Sequence, residues 1–523
     1  MSTFATPGQD LEQIMLVIES ESQIWVVKEH MYLPRVRAAV DRVKHQNKSR
    51  VFAIKAVSMD QIAQRRIEST EEVVDTGRTP SDMERAASEL FAQAVKARAS
   101  DIHVRVSLKA SRTYIFFRIY KELEMVTQQT SSWGKALCAT IYHSLADSAA
   151  SDATYDDKSR QDARISSKAI LPEMLDGIRI ATTPTVDGSV MVMRLLYDYS
   201  GVSDDLAELG FTSQQYAQMQ VLKKRPTGMI VISGPTGSGK STTLQRALKS
   251  MIRETGGKKH VITVEDPPEY SITGAVQTPV ANAATEEDRS AAFQLSIKAS
   301  MRLDPDVIMI GEMRDSPSAK LALQGAMTGH PVWSTLHANG AFHVISRLID
   351  LGLDMNMLAD PAITAGMISQ RLLRKLCPCC KRPLLSVLDE YSEKDPSFNE
   401  SLSRFSSIMG LDQVFVIGSD PHCPNPACYK GVIGMTVAAE IVVTDHKLME
   451  LIRNNKMLDA ATYWKESLGG MSMVQHAMQQ VSHGLVDPFD AESAVGHLDE
   501  GASLSRRPAT AVLEAVHVPD ANV

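Results

Sequence analysis

The chain has 523 residues, more than one ordinary domain, and its hydrophobic fraction of 44% is that of a globular protein, so we expect about three or four domains. A formal net charge of −7 gives no basic footprint of the kind that nucleic-acid-binding proteins carry, which argues against a DNA motor. No apolar run reaches the length of about eighteen residues that a membrane span needs. The first residues carry acids where a secretory signal carries bases, so we expect a cytosolic chain.

Residues 1–75 alternate between strand-like and helix-like patterns, which predicts a small α/β module. The expected elements are strands over 23–28 and 50–57 and helices over 33–48 and 59–68. The module contains no chemical motif, so docking to a partner is the only function that we assign to it. A polar segment over 69–81, with Gly77 and Pro80, is predicted to be a linker.

A second α/β module is predicted over residues 76–205. It begins with a helix over 81–99, for which Ser81 and Glu84 form the pattern of a capping box. The further elements are strands over 101–106, 113–120, 163–166, 177–182 and 191–196 and a helix over 135–147.

Three arginines, Arg164, Arg179 and Arg194, lie at or near the strands of this second module. One interpretation is that they form ordinary solvated salt bridges. The other is that some of them reach a phosphate, as bidentate guanidinium groups do when they act in trans as arginine fingers.

An apolar run that starts at Met229 breaks into a glycine-rich loop with the G-x-x-x-x-G-K-S spacing of a P-loop, from Gly234 to Ser241. Glycines allow several backbone N–H groups to converge on phosphate oxygens at a helix N-terminus. Lys240 would neutralise the β- and γ-phosphates, and the Ser241 hydroxyl would hold Mg²⁺. The predicted nucleotide-binding residues are Gly234, Pro235, Thr236, Gly237, Ser238, Gly239, Lys240, Ser241 and Thr242.

Two further apolar strands each end in acidic residues. Glu269 follows the first of them after two prolines, and Glu312 follows the second. Ligands bind at the C-terminal ends of parallel strands, so both carboxylates are expected beside Lys240 and Mg²⁺. One would hold the metal or its water shell, and the other would orient or deprotonate the attacking water. A third strand ends at His337, which either senses the γ-phosphate or is a structural histidine.

Five of the six cysteines lie within about fifty residues of one another, which in a cytosolic chain favours a metal site over disulfides. Cys377 and Cys380 form a C-x₂-C pair, and Cys423 and Cys428 form a C-x₄-C pair. Four thiolates can close tetrahedrally around Zn²⁺, whereas free buried cysteines are the alternative. Cys379 is expected to be a bystander.

These blocks together resemble the secretion ATPase superfamily, which contains the motors of type II secretion, type IV pili and type IV secretion. The resemblance covers about residues 80–485. The segments 234–242, 262–270, 304–315 and 328–339 are similar to the family's Walker A motif, aspartate box, Walker B motif and histidine box. Segments 99–103 and 160–164 are similar to blocks of its second N-terminal domain.

The resemblance implies an α/β fold in which a RecA-like P-loop domain follows a PAS-like N-terminal domain and carries a small zinc-binding insertion and a helical C-terminal region. It makes Glu269 the catalytic glutamate and Glu312 the Walker B acid. His330 and His337 become the histidine-box residues near the γ-phosphate, and Arg179 and Arg194 the trans arginines. The domains that we expect are 1–75, 76–205, 206–372, 373–437 (zinc), 438–487 (helical) and a disordered tail over 488–523.

The implied function is a hexameric ATPase that uses ATP, Mg²⁺ and Zn²⁺ and powers pilus assembly or protein secretion. It would be cytoplasmic and held at the inner membrane by a platform protein. The cysteine pairs favour an assembly-type member. Departures from the family pattern suggest a type IVb or conjugative thin-pilus branch, namely Arg105, Val106, Tyr120, Lys121, Ala163 and Met435. The alternatives are a P-loop ring that translocates DNA and a nucleotide-gated scaffold without turnover.

Overall fold

The alternating patterns of the chain form four β-sheets within the part described by a computed structural model, which comprises residues 15–18, 23–46, 52–58, 80–147, 154–198, 205–280, 286–394 and 398–502. The predicted helix over 59–68 and most of the predicted linker lie outside these residues. In the described ranges, no helix combines the length and apolar character that crossing a bilayer requires.

The first module is a three-stranded sheet covered by one helix, Pro34–Gln46. Its strands are β1 (Met15–Ile18), β2 (Gln23–Val27) and β3 (Ala53–Val57). β2 pairs with β1 in antiparallel and with β3 in parallel orientation. Sequence patterns did not predict β1, which adds Met15 to the buried core of this module.

The second module is an antiparallel sheet of six strands in the order β6-β5-β4-β9-β8-β7. Its strands are β4 (Ala99–Ser107), β5 (Arg112–Ile119), β6 (Glu122–Thr130), β7 (Gln161–Ile165), β8 (Leu175–Thr185) and β9 (Gly188–Tyr197). Helices Pro80–Lys96 and Ser131–Thr140, the second continued by a π-helical turn over Ile141–Leu145, cover one face. The helix predicted to start at Ser81 already includes Pro80, so Ser81 is not its N-cap residue; proline is well suited to a first helical turn.

The third sheet has seven strands in the order β12-β11-β13-β14-β10-β15-β18 and forms the nucleotide-binding type of core. Its strands are β10 (Gly228–Ser233), β11 (Val261–Glu265), β12 (Ala275–Pro279), β13 (Val307–Ile310), β14 (Pro331–Leu336), β15 (Thr364–Leu376) and β18 (Val432–Val443). All neighbours are parallel except β15 and β18. β10, β11, β13 and β14 are buried along their whole length, as parallel strands covered on both faces are.

Helices pack on both faces of this sheet. They are Ser213–Lys223, Lys240–Glu254, Glu286–Ser300, Ser316–Met327, His343–Asp350 and Met355–Leu358. The helix Lys240–Glu254 begins where the P-loop ends and buries its apolar side against β10 and its neighbours. We call it the P-loop helix.

Between β15 and β18 the chain forms the cysteine-bearing insertion. It contains β16 (Arg382–Pro383) and β17 (Phe415–Val416), which pair with each other, and helices Leu388–Lys394 and Phe398–Ile408. After β18 come helices His446–Arg453, Met457–Ser467, Met473–Ser482, Pro488–Val495 and Asp499–Ala502.

The predicted disordered tail therefore starts too early. The helix Pro488–Val495 is capped by Asp487, whose side chain accepts from the backbone N–H groups of Phe489 and Asp490. Phe489 stacks on Phe398 with ring centroids 5.6 Å apart, and Leu498 is fully buried. Composition suggested disorder, but apolar residues spaced along this polar segment pack on the insertion.

The β5–β6 turn of the second module contacts the core of the same chain. Tyr120 and Lys121 form this turn at positive φ values of 45° and 74°, where the family pattern has Asp-Gly. Lys121 Nζ donates to the carbonyl oxygen of Leu372 over 2.6 Å. Glu122 pairs with Arg374. This departure from the family pattern thus lies at a contact between two domains of one chain.

We expect Leu498→Ala to lower the free energy of unfolding by about 2–5 kcal/mol, because it opens a cavity beneath the last helices. The control is Leu458→Ala, since Leu458 is 85% exposed and its loss should change stability by less than about 0.5 kcal/mol. Chemical denaturation of both variants measures the difference. Equal stability of the two would mean that residues 488–502 contribute nothing to the packed structure.

Candidate active site and tetracysteine cluster

The P-loop lies between the C-terminal end of β10 and the P-loop helix. Gly234 has a φ of 151°, and a Cβ there would come within 2.6 Å of the carbonyl oxygen of Gln370. Gly239, at the N-terminus of the helix, has a φ of 84°. Only glycine takes such conformations without strain, so these two positions allow the loop to wrap closely around an anion.

The Lys240 side chain is buried beneath the loop, with 9% of its surface exposed. Its Nζ donates to the carbonyl oxygens of Gly234 and Pro235 over 2.8 and 3.0 Å. Burial lowers the pKa of Lys240 from its ordinary value, and the nearby carboxylates of Glu312 and Glu269 oppose this shift. The structure thus brings the lysine and both predicted acids together.

The carboxylate of Glu312, just beyond the end of β13, is held on both oxygens. His337 Nε2 lies 2.8 Å from Oε1, and Arg314 Nε donates to Oε2 over 2.7 Å. Because a carboxylate only accepts, the Nε2 atom of His337 carries the proton in this contact. The aspartate-box residue Asp266 is paired in a similar way, since Arg289 Nε donates to both of its oxygens over 2.8 and 2.9 Å.

Glu269 differs from these two acids. Among the residues that the structure describes, none donates a hydrogen bond to its carboxylate or forms an ion pair with it. Glu269 is half-buried and close to Lys240. A carboxylate without fixed donors can accept a proton, whereas each oxygen of Glu312 already has one partner and keeps a lone pair for a further ligand.

The two predicted histidines lie at opposite ends of one strand. His337 follows the C-terminal end of β14, next to Glu312, whereas His330 precedes its first residue, Pro331. His330 Nδ1 contacts Thr328 Oγ1 at 3.2 Å and the carbonyl oxygen of Gly325 at 3.3 Å. The expected place of His330 near the γ-phosphate is wrong, because the whole length of β14 separates it from the P-loop.

The three arginines form a row across the open face of the second module. Register pairs Arg164 with Arg179 and Arg179 with Arg194, so their side chains share a face. The row continues to Asp101, whose Oδ1 accepts from Arg194 Nε over 3.0 Å. The salt-bridge interpretation therefore applies to Arg194.

Arg194 also faces the core of its own chain. Burial lowers its pKa, but the Asp101 carboxylate and, more weakly, Glu269 raise the pKa above the ordinary value, so Glu269 of the core lies within electrostatic range of this guanidinium. The acid that Arg194 approaches belongs to the same chain, and the trans action of Arg179 and Arg194 in an assembly stays a prediction. Arg179 has no such contact with the P-loop region among the described residues.

Sequence analysis missed two residues of the site, Gln370 and Arg371. They lie on β15, beside β10 in the sheet, and Gln370 donates to the P-loop while Arg371 Nη2 donates to the carbonyl oxygen of Asn339 over 3.4 Å. No local motif marks them. Only the parallel pairing of β15 with β10, between segments more than 100 residues apart, brings them to the loop.

Four cysteines form the tetracysteine cluster, namely Cys377, Cys380, Cys423 and Cys428. Their sulfur atoms all lie within 4.8 Å of one another, and the Cys377–Cys423 and Cys380–Cys428 Sγ–Sγ distances are 3.6 Å. Tetrahedral Zn–S bonds of about 2.3 Å separate the sulfurs by about 3.8 Å, so the four thiols fit Zn²⁺. Cys379 is exposed and outside the group.

A protein-family model described as "Type II/IV secretion system protein" matches residues 76–500. The "Type II secretion system ATPase E" of Vibrio cholerae is 33% identical over 365 residues, which are 70% of this chain and 66% of that protein. The "Type IV pilus assembly ATPase PilB" of Myxococcus xanthus is 34% identical over 325 residues, 61% of this chain and 54% of that protein. The chain thus spans less than two thirds of the length of these curated relatives.

Two solved structures resemble the fold. The pilus retraction motor PilT with bound ADP has a TM-score of 0.50 and 22% identity, covering 78% of this chain and 96% of that chain. The Legionella pneumophila ATPase DotB has a TM-score of 0.53 and 18% identity, covering 80% and 95%. At these identities the likeness concerns the α/β fold, which agrees with the RecA-like architecture expected from the sequence.

We expect the purified protein to contain about one zinc ion per chain by elemental analysis, because the four thiols already have the spacing of a closed zinc site. Cys428→Ser should lose most of the metal, since a hydroxyl is a poor replacement for a thiolate ligand. The neighbouring Cys379→Ser is the control and should keep it. Zinc that is absent from the wild type, or lost equally in both variants, would contradict the assignment.

Proposed function

This chain belongs to the type II/IV secretion system protein family, and from that membership we propose that it is an ATPase which powers type II secretion or type IV pilus assembly. The resemblance predicted from the sequence is thereby confirmed at the level of the family. The names of the Vibrio cholerae and Myxococcus xanthus relatives, both ATPases, support the proposed activity.

One observation carries the proposal, which is that Lys240, Glu269 and Glu312 come from three separate segments and meet at the P-loop. Burying the ammonium of Lys240 would be costly on its own, and the two nearby carboxylates offset that cost. A bound triphosphate would compete with the carboxylates for Lys240. The site is therefore arranged to respond to the arrival and loss of phosphate charge.

We assign the two acids different roles because their partners differ. Glu312 is fixed by His337 and Arg314, so its carboxylate is held in one position. Glu269 lies near Lys240 and accepts a hydrogen bond from none of the described residues, so we assign it the role of orienting water and accepting its proton. His337 contacts Glu312 and directly follows β14. Its position would therefore change when a terminal phosphate binds beside Glu312.

The Ser241 hydroxyl, in the first turn of the P-loop helix, and the Glu312 carboxylate offer the hard oxygen donors that Mg²⁺ prefers. The ion would neutralise phosphate charge during hydrolysis. The backbone N–H groups of 234–242 would hold the β- and γ-phosphates. In this proposal Lys240 contacts the phosphates and Glu269 activates the water, so both of these steps are performed by side chains of the chain itself.

Arg194 would couple ATP hydrolysis to movement of the second module against the core. It lies on the sheet of the second module and faces Glu269 of the core, so a change of phosphate charge at the site alters the attraction between two domains. We propose that ATP binding draws these domains together, that hydrolysis releases them, and that six chains form a ring in which such movements do work. Arg179, next to Arg194 in the row, would join it when the domains close.

The proposed machine is a pilus-assembly or secretion system at the inner membrane, where the ring would bind a platform protein. We place the chain in the cytoplasm, peripheral to that membrane. The tetracysteine cluster supports an assembly-type member within this proposal, because this module resembles that of pilus-assembly and secretion ATPases.

We expect Glu269→Gln to lower kcat for ATP at least about a hundredfold, because the amide cannot accept the proton of the attacking water. Nucleotide affinity should stay within a few-fold of the wild type. The control is Glu450→Gln, the same change at an exposed helix position, which should leave turnover unaltered. Phosphate-release kinetics and nucleotide titration measure both quantities.

Turnover of Glu269→Gln within a few-fold of the wild type would contradict the assignment of the base. The same assay separates the kinds of machine. Stimulation of hydrolysis by the cytoplasmic domain of a platform protein supports the proposal, whereas stimulation by DNA with strong salt dependence would support a nucleic-acid motor instead.

A further inference from the structure

Gln370 is a fully buried amide beside the P-loop. It lies on β15 directly after Ser369, which pairs with Ser233, the last residue of β10. The backbone carbonyl of Gln370 also stands against Gly234, where a Cβ would be 2.6 Å away. We propose that Gln370 is a positioning residue that sets the conformation of the P-loop for phosphate binding, an inference that rests on the proposed ATPase function.

The side chain of Gln370 joins the loop to the helix that follows it. Its Nε2 donates to the carbonyl oxygen of Ser238 over 2.8 Å, and its Oε1 accepts from Thr243 Oγ1 over 3.0 Å. Ser238 and Thr243 are themselves buried, with 3% and 1% of their surfaces exposed. Water therefore cannot easily replace either partner if the amide is lost.

The hydrogen bond to Ser238 fixes the orientation of one peptide plane. In a trans peptide the C=O and N–H groups point in opposite directions. When the carbonyl of Ser238 points to Gln370, the N–H of Gly239 points away from Gln370. Gln370 thus orients a phosphate-binding donor without touching the phosphate.

Glutamine suits this position for a second reason. A Cβ on Gly239 would meet Gln370 Nε2 and Leu372 Cδ2, each at 3.2 Å, so the amide fills the space that the positive φ of Gly239 leaves open. One amide supplies a donor for the carbonyl and an acceptor for the hydroxyl. Glutamate would supply only acceptors and would add negative charge beside the phosphate site.

The test compares Gln370→Met with Gln480→Met in the full-length chain. Gln480 is a matched control, because it is a buried glutamine of the helix Met473–Ser482 whose Nε2 donates to a backbone carbonyl, that of Val437, over 2.7 Å, and to no residue of the P-loop. Titration with fluorescent ATP and ADP should give Kd values about tenfold higher for Gln370→Met, equivalent to about 1.4 kcal/mol. Gln480→Met should bind both nucleotides like the wild type.

Binding of Gln370→Met within twofold of the wild type would overturn the inference, as would equal weakening in both variants, which indicates general destabilisation. If Gln370→Met does not fold, Gln370→Glu keeps the size and the acceptor for Thr243 but loses the donor to Ser238, and the same increase in Kd is expected. Unweakened binding by that variant overturns the inference as well.

The wild-type titration separates this inference from the function on which it rests. A wild-type chain that binds neither nucleotide contradicts the proposed ATPase and the role of Gln370 together. A wild-type chain that binds both, with Gln370→Met equal to it, contradicts the role of Gln370 alone.

Discussion

A buried lysine ammonium that shares its surroundings with two carboxylates is the interaction on which this structure depends. Lys240 lies under the P-loop with two backbone carbonyls as partners, and Glu269 and Glu312 offset the cost of burying its charge. Charges buried without such balance are costly. The parallel order of β10, β11 and β13 supplies the balance, because it brings segments from three parts of the chain to one edge of the sheet.

β15 contacts the P-loop and also several other parts of the molecule. Along its 13 residues, Gln370 holds the P-loop, Leu372 accepts from Lys121 of the second module, and Cys377 follows its end in the tetracysteine cluster. Arg374, on the same strand, pairs with Glu122 and with Asp490 of a C-terminal helix. One strand therefore connects the phosphate site to the second module, the insertion and the C-terminal helices.

The parts of this arrangement that could be predicted from the sequence are those encoded locally. The P-loop spacing from Gly234 to Ser241 and the apolar strands before Glu269 and Glu312 each lie within a short segment, and buried parallel strands are apolar along their whole length. Gln370 depends on strand pairing across a long sequence separation, which no local pattern records. His330 and His337 belong to one sequence motif, but the motif does not show that they lie at opposite ends of β14 and that only the end with His337 is near the P-loop. The segment predicted to be disordered is rich in Ala, Ser, Pro and Asp, and only the packing of residues 488–502 against the insertion shows that this part of it is folded.

The most direct measurement is a structure of this chain bound to Mg²⁺ and a non-hydrolysable ATP analogue. The account predicts the triphosphate within residues 234–242, the terminal phosphate beside Lys240, and the Glu269 carboxylate directed to the water that would attack it. A nucleotide bound elsewhere, or Glu269 and Glu312 turned away from the terminal phosphate in the closed state, would contradict the account.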